Sequence, residues 1–303
     1  MIYILSMLFL LFSPAKKYEL ELNLKEGEIY YQNITATSTM TQNIQGTTQN
    51  VDMESSSNSK FEVVSVTENG YVFDVSFVWM ELSMESGVIN QSFSSRREGD
   101  DVDMMSKILK ELTKKPFSIE MTSKGEVTAI SGIDELYSQA LSQFPEMSEM
   151  EKQQVRAQMS QAYGKAAIKG SVEQLSSIFP SKKVSIGDTW TKSIELQSGM
   201  EATQDATFEL VEVTDEFVTI RMNSEIATAD KDAYVQIGGS EAKYLISGTG
   251  TATLKLDRKT LWTVEGDISQ KFSGTIELQP GPQAPNGMEI PIEYEVSTVI
   301  KDR

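Results

Sequence analysis

Phe61-Glu62-Val63-Val64-Ser65-Val66, the turn Thr67-Glu68-Asn69-Gly70, and Tyr71-Val72-Phe73-Asp74-Val75-Ser76-Phe77 make up the stretch that decides the fold. Apolar and polar residues alternate on both sides of Asn-Gly, a dipeptide that supplies the positive φ angles of a tight hairpin turn. Two antiparallel strands are expected, over 61–66 and 71–84. The second strand places Tyr71, Phe73, Val75, Phe77 and Trp79 on one face, with Val72, Val78, Met80, Leu82 and Met84 contributing to the other. Both faces should meet other protein, and a buried strand explains the aromatic row better than a ligand-binding stripe does.

The first arm of this hairpin recurs later in the chain. Phe61-Glu62-Val63-Val64-Ser65-Val66-Thr67-Glu68 matches Phe208-Glu209-Leu210-Val211-Glu212-Val213-Thr214-Asp215. Upstream, Gly27-Glu28-Ile29-Tyr30 corresponds to Gly187-Asp188-Thr189-Trp190, and downstream Ile119 to Gly132 parallels Leu254 to Gly266. Three matches in the same order point to an internal duplication. The fold class expected is α+β, mainly β: two duplicated antiparallel curved sheets, or open half-barrels, with a helical segment between them. The halves need not be separate domains, because two open sheets can also continue into one curved sheet covered by the middle helices.

The remaining segments fit this plan. Tyr18 to Leu24 alternates strictly and reads as a strand, and Ile34 to Gln42 sets a small-to-apolar face against a threonine ladder. Met105, Ile108, Leu109 and Leu112 form one helix stripe, ended by Pro116, before a strand pair over 117–121 and 126–130. Residues 133–180 are helical by pattern, with stripes at Tyr137, Ala140, Leu141 and Phe144, at Val155, Met159 and Ala162, and at Val172, Leu175 and Phe179. Ser148 and Glu151 fit a capping box. From Ile186 the β pattern returns and runs to the end, broken by an exposed loop from Pro280 to Gly287. The organisation expected is a leader over 1–15, a first β half with one helix over 16–132, a helical middle over 133–185 and a second β half over 186–303.

Composition excludes several function classes. The chain has no cysteine and no histidine, which removes thiolate and imidazole catalysis, the usual zinc sites and disulfides. A net charge of −17 repels phosphate and disfavours nucleic acid and anionic membranes as partners. Gly248-Thr249-Gly250 lacks the third glycine and the strand-to-helix context of a dinucleotide site, and no phosphate loop or Ser/Lys arrangement stands out. The acids of Glu98-Gly99-Asp100-Asp101-Val102-Asp103 precede the first helix, where they complement the helix dipole better than they match a calcium loop. No enzyme activity, cofactor or metal is expected, and no catalytic, cofactor-binding, metal-binding or ligand-binding residue is assigned.

The stretch Met1 to Ala15 is uncharged and apolar, with Ser13 and Ala15 as small residues ahead of Lys16-Lys17, as in a cleaved signal peptide. Export without cysteine points to a bacterial periplasm or exterior. Gly27-x-x-Tyr30 and Gly187-x-x-Trp190, each opening a set of long strands around a helical middle, resemble an uncharacterised family of exported bacterial proteins, a domain of unknown function. The element order also resembles the periplasmic lipoprotein-carrier type of open half-barrel, whose concave side holds acyl chains; that likeness of architecture implies a non-catalytic protein binding an apolar or amphipathic, lipid-like ligand. Fifteen methionines, among them Met104, Met105, Met121, Met147, Met150 and Met159 near the helices, supply adaptable apolar side chains for such a ligand. The alternative is a structural or protein-interaction module of the envelope, presenting sheet edges and the Ser/Thr-rich stretch from Ile34 to Lys60 to a protein partner. If the leader is read correctly, the chain expressed from Met1 in a bacterium should be recovered from the periplasm with Lys16 at its N-terminus, as intact-mass measurement will show.

Overall fold

A computed structural model describes residues 16–302 apart from 45, 88, 198–200, 238–239 and 282–283; the expected leader lies outside the described residues. Strands β1 (Ile29–Ile44), β2 (Thr47–Thr67), β3 (Gly70–Ser86) and β4 (Ile89–Ser94) precede helix α1 (Met104–Leu112), and β5 (Phe117–Thr122) and β6 (Val127–Ser131) follow it. Helices α2 (Ile133–Ser142), α3 (Glu149–Tyr163) and α4 (Lys165–Ser176) form the middle. The last part contains β7 (Thr189–Gln197), β8 (Glu201–Val213), β9 (Phe217–Thr228), β10 (Val235–Ile237), β11 (Ser240–Asp257), β12 (Thr263–Leu278) and β13 (Met288–Lys301).

The two sets of strands do not form two sheets. β1 pairs with β13 from Asn33↔Lys301 to Gln42↔Ile292, so all the strands belong to one antiparallel sheet in the order β6-β5-β3-β2-β1-β13-β12-β11-β9-β8-β7, with β4 on β3 and β10 on β11. The physical reason is that β1 and β13 are long, and each would expose a row of unpaired backbone groups if the halves stayed apart. One core cluster accordingly joins Phe61 and Phe73 of the first set with Phe208, Ile220, Leu254 and Ile268 of the second, together with Ile108, Leu136, Tyr137 and Leu175 from the helices.

The sheet is not closed by strand pairing. Its two edge strands, β6 and β7, are bridged by α4 and the residues around it. Glu173 accepts a hydrogen bond from Val127 N at 2.8 Å, and Ser176 Oγ donates to Gly125 O at 2.6 Å. On the other side Trp190 Nε1 donates to Ile178 O at 2.8 Å, and Lys192 reaches Ser177 Oγ at 3.1 Å and Glu126 at 3.3 Å. Gly125, with φ +79°, lies so close that a Cβ there would fall 1.9 Å from Ser176 O.

Tyr18 to Leu24 is extended, as its alternation requires, and Leu20, Leu22 and Leu24 are buried, but the segment joins no ladder. It crosses one end of the sheet instead. Leu22 N donates to Ser123 O, Asn23 N to Thr260 O, Tyr71 Oη to Leu22 O at 2.8 Å, and Tyr18 bridges Val184. Alternation reports one buried face, and a strap of chain laid over a core satisfies that as well as a strand does.

Local readings hold with three differences. The hairpin pairs Thr67 with Gly70 as expected, but Asn69 keeps a negative φ; Gly70 is needed because a Cβ would meet Met121 O at 2.0 Å. A bulge where Asn58 and Ser59 oppose Trp79 and Phe77 reverses the facing of β3, so Met80 is buried, Val78 is exposed and Trp79 turns outward beneath Arg96. In the loop from Pro280 to Gly287, Ala284 is buried and bridges Gly281. The helix stripes pack as read, with Ala162 outside the described side chains, and Ser148 and Glu151 form the capping box.

Equivalent details recur in the two sets of strands. Gly27 N donates to Val63 O and Val63 N to Glu28 O, just as Gly187 N donates to Leu210 O and Leu210 N to Asp188 O. Tyr30 faces Phe61 as Trp190 faces Phe208, and the ladder shifts between Val63 and Ser65 as it does between Leu210 and Glu212.

Two outcomes test the bridged edges. Gly125→Ala should lower stability by more than about 1 kcal/mol in urea unfolding, because the site combines positive φ with backbone contact. Burial raises the Glu173 carboxyl above its usual range, against the opposing pull of Val127 N–H and Lys169. A raised folded-state value means that the native protein holds this proton more tightly than the unfolded chain, so this contribution to stability falls as pH rises from the ordinary glutamate value of about 4.3. Glu173→Gln, which keeps an acceptor for Val127, should flatten that part of the stability profile.

Candidate functional site

Directly opposed residues of antiparallel strands point to the same side of a sheet, so the pairings define rows that run across it. On the inner face one row runs Met222, Ala252, Ile268, Thr298, Ala36, Ser55 and Leu82, from β9 to β3. The next runs Ser224, Gly250, Gln270, Val296, Ser38, Met53 and Met84. Above it come Ile226, Gly248, Phe272, Tyr294, Met40 and Val51, and then Ile246, Gly274, Ile292, Gln42 and Gln49. No residue of these four rows is charged.

Burial falls along the first three rows. In the second row Ser224, Gly250 and Gln270 are buried, whereas Val296, Ser38, Met53 and Met84 are half-buried. The main core lies at the helical end, and a second cluster of Ala202, Ile226, Ile246, Ile290 and Ile292 fills the opposite end beneath β8, β9, β11 and β13. Met40, Val51, Met53, Leu82 and Met84 belong to neither cluster. These five side chains are half-buried; among the helices, α1 packs on β3 and β4, α2 on β5, and α4 on β6 and β7.

At the buried end of the second row Ser224 and Gln270 meet Gln204, which β8 places opposite Ile226 of the third row. Gln204 on β8 is fully buried, and its Nε2 donates to Ser224 Oγ at 2.8 Å and lies 3.7 Å from Met222 Sδ. Gln204 Oε1 and Gln270 Nε2 are buried with no hydrogen-bond partner among the described residues. Gly250 makes room for them: a Cβ there would lie 2.6 Å from Ser224 Oγ, 3.3 Å from Gln270 Cγ and 3.5 Å from Gln204 Nε2.

The outer face has the opposite character. A shallow concavity of about 490 Å³ is lined by Thr37, Thr39, Asp52, Glu54, Glu85 and Glu295, and Ser38, Met53, Met84 and Val296 of the second row also border it. Thr39 donates to Asp52 at 2.6 Å and Lys271 pairs with Glu295 at 2.8 Å. Among the described residues no three carboxylates are placed to hold a metal ion.

The acids ahead of α1 serve the fold. Asp103 is the N-cap, accepting from Ser106 N at 2.8 Å and pairing with Arg97 at 2.8 Å. Burial pushes its carboxyl up, but the hydrogen bonds from Ser106 and Arg97 outweigh burial and hold it below the usual range. The methionines singled out near the helices do not gather: Met121 and Met159 are buried in the core, Met105 is half-buried and Met150 is 80% exposed. Those that do gather, Met40, Met53 and Met84, sit on strands whose Ser and Thr content hides them; their signal is period 2 along 34–57 and 80–84.

A family model described as Family of unknown function (DUF6263) matches residues 68–263. No curated protein matches the chain. Among solved structures, lipovitellin, in a structure titled for lipid-protein interactions, is 12% identical and matches 92% of this chain with a TM-score of 0.49; this chain spans 25% of that one. An outer membrane channel from Pseudomonas putida F1 is 6% identical, with 93% of this chain and 97% of that one covered and a TM-score of 0.26. At these scores the likenesses carry no argument about function. No helix among the described residues is long and apolar enough to cross a membrane.

The polar cluster can be probed without any ligand. Ser224→Ala removes the acceptor of a buried amide and should cost about 1–3 kcal/mol. Gln204→Met, which removes the unpartnered oxygen and the amide together, should stay within about 1 kcal/mol of the parent in the same urea titration.

Proposed function

The chain belongs to the family of unknown function DUF6263, and we propose that it is a non-catalytic, exported binding protein for an apolar or amphipathic, lipid-like ligand of the bacterial envelope. The observation that carries this reading is the row of half-buried apolar side chains Met40, Val51, Met53, Leu82 and Met84, outside both core clusters, continuous with a buried row and free of charge. Thioethers adapt to ligands of varied shape. Each methylene removed from water contributes about 0.8 kcal/mol, while association costs on the order of 4–15 kcal/mol. A chain of about ten methylenes is therefore where retention begins.

The two sets of strands are read as copies of one unit. The paired backbone bonds at Gly27 and Gly187, the aromatic pairs at Tyr30–Phe61 and Trp190–Phe208, and the ladder shifts after Val63 and Leu210 support that reading. One observation favours the second reading, an interaction module of the envelope: β4 pairs with β3 alone among the described residues, and Ile89 on it is 43% exposed.

Titration with a fluorescent acyl probe should give saturable binding that strengthens with chain length, and Met53→Asp with Met84→Asp should weaken it at least tenfold while circular dichroism stays that of a β protein. Binding unaffected by the two aspartates would sink the assignment of this surface. Recovery of one specific envelope protein by crosslinking in cells, with no lipid bound, would favour the interaction module.

A further inference from the structure

We infer that the ligand carries a neutral headgroup able both to donate and to accept a hydrogen bond, a hydroxyl or primary amide, and that Gln204 and Gln270 read it. The inference rests on the proposed lipid-binding role and extends it from an apolar surface to a headgroup class.

Gln204 Oε1 is an acceptor that lacks a donor, and Gln270 Nε2 is a donor that lacks an acceptor. Both are on side chains more than nine-tenths buried, at 0% and 8% exposure. Buried amides of native proteins are nearly always satisfied, so a missing partner marks the place of a group that is not part of the chain. Ser224 Oγ already occupies the other end of Gln204, which leaves its oxygen as the free function.

The pair selects by chemistry. A hydroxyl or amide supplies one donor for Gln204 and one acceptor for Gln270. A carboxylate or phosphate offers acceptors alone and sets a negative charge against the Gln204 oxygen; an ammonium offers donors alone and leaves Gln270 unmatched. No charged side chain in the four inner rows compensates either kind of ion, and a buried unpaired charge is the costlier mismatch. Gly250 is the packing counterpart, since a Cβ there would fall 2.6 Å from Ser224 Oγ and 3.3 Å from Gln270 Cγ, so glycine is what lets these side chains lie over β11.

Position within the row ties Gln270 to the apolar surface. Gln270 is the last buried member, and Val296, Ser38, Met53 and Met84 follow it in order across β13, β1, β2 and β3. A headgroup held at Gln270 leaves its chain to lie along that row. Val296 and Ser38 lie between Gln270 and Met53, so with strands about 4.8 Å apart the distance from β12 to β2 is about 14 Å, which an extended chain of about twelve carbons spans.

The test is displacement of a bound fluorescent acyl probe by four compounds of about twelve carbons: a monoacylglycerol, a fatty acid anion, an alkylamine and an alkyl methyl ether. The intact protein should prefer the monoacylglycerol by about tenfold or more, and Gln204→Met with Gln270→Met should bring all four within about threefold of one another. Equal displacement by all four in the intact protein would overturn the headgroup assignment, with a bound water as the only occupant of the pair, and would leave the apolar site standing. Failure of every compound, and of the probe itself, would overturn both. The comparison among compounds needs only the parent protein, so it decides the matter even if the double variant does not fold.

Discussion

The inner face of this sheet is uncharged along strands much longer than the helices laid against it. β1 has 16 residues and β2 has 21, which at about 3.3 Å per residue extend some 50–70 Å. α1 has 9 residues and α4 has 12, which at about 1.5 Å per residue cover less than about 20 Å each. Helices of that size bury one end of the sheet and leave the rest of the inner face to find another solution. The second set of strands finds it by packing upon itself, as in the small cluster around Ile226, Ile246 and Ile292. The first set does not, and its methionines Met40, Met53 and Met84 remain half-buried outside both clusters.

The two faces of the sheet divide the physical work. The outer rows carry Glu54, Asp52, Glu85, Glu293 and Glu295, part of the acidic excess behind the net charge of −17. The inner rows are neutral, so they discriminate by shape and hydrogen bonding and not by charge. The edges are held by a helix and not by a ladder: Glu173 and Ser176 hold the β6 side, Trp190 and Lys192 the β7 side. This replaces cooperative strand pairing with a few side-chain bonds.

Much of this was legible in the residues, and the exceptions have physical causes. The hairpin at Thr67–Gly70, the α1 stripe, the capping box at Ser148 and the matched segments at Phe61 and Phe208 are set by neighbours close in sequence, so local pattern suffices. The pairing of β1 with β13 was not legible, because Asn33 and Lys301 meet only through the whole topology. The facing of Trp79 was misread because a bulge inserts one residue that periodicity cannot register. The candidate site was the least visible. Met40, Met53 and Met84 are far apart along the chain, and the Ser and Thr between them give the segment a solvated look, while the missing partners of Gln204 and Gln270 exist only in three dimensions.

The central claim is that the half-buried inner surface around Met53 and Met84 is occupied in the cell by a lipid-like molecule. Native mass spectrometry of the protein purified from the periplasm without detergent, followed by organic extraction and lipid analysis, tests it most directly. The account predicts a stoichiometric adduct that is extracted as a neutral amphiphile. A clean mass of the chain alone, unchanged after incubation with a total lipid extract, would contradict it.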